Sequence, residues 1–340
     1  TTPPHQYFSV FQTDMKFTLI LAGILALSVP VQVYSFVSRP FVRDSTTVSL
    51  NVFQMSLQNR INTVVDKQWG KKKVGKVLDA FNRIAKGDIW EMPWGEKSKQ
   101  VAHSYMEGLT VKDYWDVDDF QWAIKLQDNW EQIRDELQNH IQAPTELEQK
   151  GNNIWSAALT SDAQAYGQDW KTLVLMDRGV WDPTNSGLFP QTVEVLKKCG
   201  VPCCEAFFAK QPADTGIKPH SDGTNFIITS HLALMTPKDK AWIEVGGKRA
   251  YWEEGKVLIF DTSLLHNTRN DGDIDRYVLM LRFWHPDMTK QERQAMQFIF
   301  NCIDDPELVD MAEAELAQGG GKKKKKSVKK LTASGGGGFS

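Results

Sequence analysis

The sequence predicts a mainly β protein, a sandwich or jelly-roll barrel with helices flanking it. Three observations carry this. From Trp170 onward the chain breaks into short runs rich in β-branched and aromatic residues, separated by Gly- and Asp-rich turns. Gly246-Gly247, between two of these runs, is a two-residue hairpin signal. The segments on either side of the β-rich region carry helical periodicity instead. Many short strands with such turns are the raw material of two-layer and barrel folds.

Taken in order, residues 1–35 read as upstream residues and a signal peptide that starts at Met15. The signal has one Lys, an apolar run over residues 17–29, and small residues Val33 and Ser35 before a cut. As a helix that run reaches about 20 Å, short of the roughly 30 Å of bilayer hydrocarbon. No stable membrane span is therefore expected, and a retained anchor is the alternative. Residues 36–65 are rich in Ser, Thr and Arg with Asp44 as their single acid, and are expected to be a transit-like disordered segment. A signal peptide followed by Phe36 and such a stretch resembles the bipartite plastid presequences of algae. The expectation is entry to the secretory route and delivery to a plastid, with the endoplasmic reticulum lumen as the alternative.

Residues 66–113 are expected to form a helical, basic lead-in. Lys67, Lys71, Lys72, Lys73 and Lys76 make a solvated face, and Val74, Val77, Leu78 and Phe81 an apolar one that ends near Gly87. Leu126, Trp130, Ile133, Leu137 and Ile141 follow helical steps and predict one helix over residues 116–141. Strands are predicted at residues 172–175, 201–208, 225–234, 241–245, 248–252, 257–261 and 277–284. Thr289 and Glu292 then form a capping box that opens a helix through Met296, Ile299 and Phe300. The main domain is placed at residues 114–303. Residues 304–340 are expected to be a disordered Lys/Gly-rich tail.

Composition narrows the function classes. A formal net charge of −2 gives no reason to expect a nucleic-acid partner, and 41% hydrophobic residues suffice for a core. Twelve Trp, Trp252 and Trp284 among them, are read as core packing. The cluster of Cys199, Cys203 and Cys204 has no second half to complete a zinc site, and a disulfide from Cys199 is left open. His285, next to Pro286, is expected to make a structural hydrogen bond.

The chemistry concentrates in His220-Ser221-Asp222, His266 and Arg276. Two imidazoles and one carboxylate meeting on one face of a metal are the ligand set of non-haem Fe(II) oxygenases, with the other face left open. On an extended strand His220 and Asp222 point the same way, and His266 must come from a neighbouring strand. Arg276 is a fixed fork suited to a dicarboxylate. Asp222 can equally be the first residue of an Asp-Gly turn.

Several motifs converge on one family. HSDGTN from His220, HLALMTP from His231, YWEEGKVLIFDTSLLHNTRND, Arg276 and FWHPDMT closely resemble the aspartyl/asparaginyl β-hydroxylase domain, over roughly residues 114–302. The resemblance implies a double-stranded β-helix (jelly-roll, cupin-like) that binds Fe(II) and 2-oxoglutarate. It implies metal ligation by His220 and His266, pairing of Arg276 with the distal carboxylate of 2-oxoglutarate, and a role for His231 in holding the co-substrate. Two departures stand out: Asp222 has no counterpart in well-known animal members, and Thr229 replaces an arginine. The implied reaction is hydroxylation of an unactivated carbon, with the β-carbon of Asp or Asn in a protein as one substrate. A lipid acyl chain or small acid is the alternative, and a non-catalytic binding barrel a third reading.

Overall fold

A computed structural model describes residues 45–93, 99–143, 155–157 and 170–318. The upstream residues, signal peptide and cleavage site read into residues 1–35 lie outside the described residues, as does the Lys-rich stretch beyond residue 318. Among the described residues no helix is long and apolar enough to cross a membrane.

Two helices stand where disorder is expected. Residues 45–65 of the transit-like segment belong to a helix, Ser45–Trp69 (α1), and residues 307–318 of the tail form another, Glu307–Gln318. The physical reason is that each covers the other. Leu57, Ile61, Val64 and Val65 of α1 are buried in one cluster with Val309 and Ala312. The Arg60 guanidinium reaches the carboxylates of Glu313, at 2.6 Å, and Asp310. Neither segment holds enough apolar surface to fold alone, so the pairing is invisible until residues some 250 positions apart meet. The basic lead-in forms the helix Lys71–Lys86 (α2), kinked at Val74 and closed by Gly87 in the left-handed conformation.

The helix predicted over residues 116–141 is in fact three pieces. A 3-10 turn at Val117–Asp119 leads to Gln121–Gln127 (α3) and then Trp130–Gln142 (α4). The break comes at Asp128-Asn129, where the Asn129 amide donates to the Lys125 carbonyl at 2.7 Å. A side chain that bonds the backbone locally competes with helix continuation. The apolar face survives the break: Leu126, Ile133 and Leu137 are all buried. Two further helices, Pro183–Leu188 (α5) and Pro190–Cys199 (α6), were not foreseen. Lys290–Asp304 (α7) starts with both hydrogen bonds of the Thr289–Glu292 capping box. Glu307–Gln318 is α8.

The β elements, in order, are Trp90–Pro93 (β1), Lys99–Ser104 (β2), Tyr114–Trp115 (β3), Ser156–Ala157 (β4), Lys171–Asp177 (β5), Val180–Trp181 (β6), Cys203–Gln211 (β7), Thr215–His220 (β8), Gly223–Thr224 (β9), Ile227–Met235 (β10), Ala241–Val245 (β11), Lys248–Tyr251 (β12), Val257–Phe260 (β13), His266–Asn270 (β14) and Arg276–Trp284 (β15). They build a double-stranded β-helix. The major sheet runs β3-β13-β10-β15-β7-β5-β4 with β6 on β5, and the minor sheet runs β12-β11-β14-β8. β1, β2 and β9 form a third, small sheet. Gly246 and Gly247 both take positive φ in the β11–β12 hairpin, a conformation that L side chains adopt at a cost.

Strand periodicity divides each major strand between two cores. On β15, Leu279, Leu281 and Phe283 pack outward in a cluster with Leu126 and Leu137 of the helices and Leu196 of α6. Val278 faces inward with Ala233, Ile243, Phe260 and Trp252, between the two sheets. The site residues share this inward parity, which points Arg276, Met280 and Arg282 into the barrel. The cysteines are free and buried.

Candidate active site

The minor sheet brings the two histidines together. His220 ends β8, His266 begins β14, and the two are register partners across that antiparallel pair. Their ring centroids are 4.2 Å apart. Each Nδ1 faces the carbonyl two residues earlier: Lys218 at 2.8 Å for His220, Leu264 at 2.9 Å for His266. A carbonyl only accepts, so in the neutral ring Nδ1 carries the proton and Nε2 keeps its lone pair. Burial, with the His220 ring beside it, pushes the His266 pKa down to about 4. A neutral imidazole is the form that ligates a metal.

Asp222 meets both Nε2 atoms, with Oδ1 at 3.7 Å from His220 and 3.8 Å from His266. The ligand atoms of His220, Asp222 and His266 all lie within 4.8 Å of one another, and they are the group among the described residues arranged to hold a metal ion. The route to this arrangement differs from expectation. β8 stops at His220, so Asp222 is not two residues along one strand. Its N–H instead donates to the Thr262 carbonyl at 2.8 Å, and this fixes the carboxylate over the histidines. Burial raises the Asp222 pKa, but His266, Arg282, His220 and the Thr262 side chain together outweigh it and hold the carboxyl below its usual range. Asp222 begins no turn: Gly223, at φ +72°, opens the short strand β9, and a Cβ there would stand 2.9 Å from the His103 ring.

Arg276 and His231 line the same cavity as His220, Asp222 and His266. Arg276 is buried, with its guanidinium carbon 3.8 Å from the ring centroid of Trp252. His231 stacks with Trp252, 5.8 Å between ring centroids at 17°, and lies edge-on to Phe260 at 4.8 Å. Arg276 Nε and Nη1 and both His231 ring nitrogens are buried with no hydrogen-bond partner. Burial lowers the Arg276 pKa to about 9, and burial, then Arg276 and His266, hold His231 well below its usual value. An unpaired buried guanidinium costs several kcal/mol, which a carboxylate placed in the cavity would offset. Ile217, Ile243 and Met280 contribute apolar wall.

All five residues named from the sequence thus border one cavity. Four others were missed. Trp252 is core, as read, and is also the surface on which Arg276 and His231 rest. Thr262 holds Asp222. Arg282 Nη2 lies 3.9 Å from Asp222 Oδ2, and Glu205 Oε2 lies 3.4 Å from Arg282 Nη1. One signal was available: Arg282 is six residues after Arg276, so strand alternation puts both on the inward face. His285 is structural as expected, with Nε2 2.9 Å from the Thr110 carbonyl and Nδ1 accepting from Asp287 N–H at 3.1 Å.

A double-stranded β-helix with a His–Asp–His cluster between its sheets, beside a buried arginine, defines a class of metal-site jelly rolls. The comparisons point to one family. Residues 127–286 match the family Aspartyl/Asparaginyl beta-hydroxylase, to which this part of the chain is similar. The human aspartate beta-hydroxylase domain-containing protein 2 is 35% identical over 144 residues, 39% of this chain and 38% of that protein. The human aspartyl/asparaginyl beta-hydroxylase is 27% identical over 238 residues, 65% of this chain and 30% of that protein. The ornithine lipid ester-linked acyl 2-hydroxylase of Rhizobium tropici is 28% identical over 176 residues, 51% of this chain and 60% of that protein. The chain therefore spans well under half the length of these two human relatives.

Proposed function

We propose that this protein is an Fe(II)- and 2-oxoglutarate-dependent hydroxylase. The observation that carries the reading is the pairing of two features in one cavity: a facial His220–Asp222–His266 set and, beside it, a buried Arg276 whose Nε and Nη1 lack partners. When bound, Fe(II) with 2-oxoglutarate supplies an oxidant able to hydroxylate an unactivated carbon. His220, Asp222 and His266 would hold the ion, each through one ligand atom. Arg276 takes the distal carboxylate of 2-oxoglutarate as a rigid fork, with Trp252 fixing its plane. His231, neutral and able to donate from either nitrogen, steadies the co-substrate. Apolar walls limit competing water around the reacting carbon. The complete ligand set argues against a barrel kept only for binding.

The substrate reading rests on the relatives. The human protein named aspartyl/asparaginyl beta-hydroxylase supports an Asp or Asn side chain in a protein as acceptor. The Rhizobium tropici protein, named for an acyl 2-hydroxylase activity on ornithine lipid, supports a second reading in which a lipid acyl chain is hydroxylated. The test is succinate release from 2-oxoglutarate by purified protein with Fe(II), alone and with Asp- or Asn-containing peptides or with acylated amino-acid lipids. Slow release alone and stimulation by one substrate class is the expected result. No succinate under any condition overturns the reading.

A further inference from the structure

The barrel interior contains an ion pair that the proposed chemistry does not use directly. Glu205 on β7, Arg282 on β15 and Thr229 on β10 are successive register partners across the major sheet. All three are buried. Arg282 Nη1 lies 3.4 Å from Glu205 Oε2, and its Nη2 lies 3.9 Å from Asp222 Oδ2. The row continues through the Thr229 hydroxyl, 3.1 Å from the hydroxyl of Thr262, whose carbonyl accepts the Asp222 N–H.

A buried Glu–Arg pair is a poor stabiliser, because desolvation of two charges consumes most of their attraction. An apolar pair of the same volume commonly serves a core as well. The pair therefore calls for another reason, and its geometry supplies one. The Asp222 carboxylate has two oxygens with different neighbours: Oδ1 faces the two histidine Nε2 atoms, and Oδ2 faces the Arg282 guanidinium. Asp222 lies in the short gap between β8 and β9, tied to the barrel by its N–H bond to the Thr262 carbonyl. The Arg282 guanidinium on Oδ2 adds to the restraint that the Thr262 side chain places on rotation of the carboxylate. Glu205 sits behind Arg282 and keeps the guanidinium from being an isolated buried charge.

We propose that Arg282, backed by Glu205, is a positioning residue for Asp222: it holds Oδ2 and so presents Oδ1 to the metal. This rests on the metal-binding reading above. Its test measures metal binding itself, with Co(II) as the probe, by calorimetric titration and by the visible absorption of the bound ion. Glu205→Gln with Arg282→Met removes both charges while keeping volume, so the barrel keeps its thermal stability. This double variant should bind Co(II) about 10–100-fold more weakly, the usual cost of losing a partner behind a ligand, with an altered absorption band. In an Asp222→Gly background the same two changes should cause no further loss, because the group they act through is gone.

Wild-type Co(II) affinity and spectrum in the double variant overturn the proposal while the metal-site reading stands. So does an equal loss in the Asp222→Gly background, which assigns the effect to general packing. Wild-type protein that binds no Co(II) overturns the metal-site reading and this proposal with it. If the double variant does not fold, Arg282→Lys carries the test. Its ammonium keeps the charge but not the two-sided reach, and it should weaken Co(II) binding in the wild-type background and not in the Asp222→Gly one.

Discussion

His266 stands directly across the β8–β14 ladder from His220, and each ring is turned by a bond from Nδ1 to the carbonyl two residues before it. The two Nε2 atoms are thereby aimed at one point before any metal arrives. A ligand set that is preorganised in this way spends little of its binding energy on ordering side chains.

His266→Ala removes one of the two aimed nitrogens and should abolish both Co(II) binding and 2-oxoglutarate turnover. Calorimetric titration and succinate detection on the same preparation check this. Wild-type succinate formation by the variant would mean that the site is misassigned.

Asp222→Gly deletes the carboxylate that lies within 3.8 Å of both Nε2 atoms. Metal affinity should fall by at least the roughly 10–100-fold that loss of an outer partner already costs. An unchanged dissociation constant would remove Asp222 from the ligand set and leave a two-histidine site.

Arg276→Lys replaces a planar fork resting on Trp252 by a flexible point charge. The concentration of 2-oxoglutarate needed for half-maximal turnover should rise, while Co(II) affinity stays near the wild-type value. Equal losses of both, accompanied by a changed circular dichroism spectrum, would instead indicate a folding defect.

Asp261 gives a pH dependence whose sign is fixed. Burial outweighs its bonds from Ser263 and raises its pKa from 3.8 to about 7. Between those values the folded chain holds a proton that the unfolded chain has lost, so this group's contribution to stability falls as pH rises from about 4 to 7. His266 works the other way, contributing stability that is present above 6.5 and lost as pH falls toward about 4. Asp261→Asn removes the first effect only. Relative to wild type, its unfolding free energy should improve with pH across this window, by up to about 1.4 kcal/mol per pH unit. Denaturant melts at pH 4.5 and 7.5 decide it, and parallel stabilities would sink the assignment.

Ile61→Ala tests whether α1 belongs to the folded unit. Ile61 is buried in the cluster that α1 shares with α2, α7 and α8. Truncation should cost about 2–5 kcal/mol of unfolding free energy. A loss below about 0.5 kcal/mol, as at an ordinary surface position, would detach the helix from the core.

The sequence by itself determined the β-rich region, the Gly246-Gly247 hairpin, the Thr289–Glu292 cap and the residue types of the site. These are local properties: side-chain alternation, turn chemistry and a cap depend on residues a few positions apart. Two of the strands that carry the site, β8 and β14, were not drawn as strands, because TGIKPH and HNTRN lack an apolar alternation of their own. They are strands because they pair with each other. Only the tertiary structure decided what lies between elements. It set Asp222 against Thr262 and Arg282, laid Arg276 and His231 on Trp252, and paired α1 with α8. Each of these contacts joins residues far apart in the chain, where burial and charge pairing are settled by the partner that packing supplies.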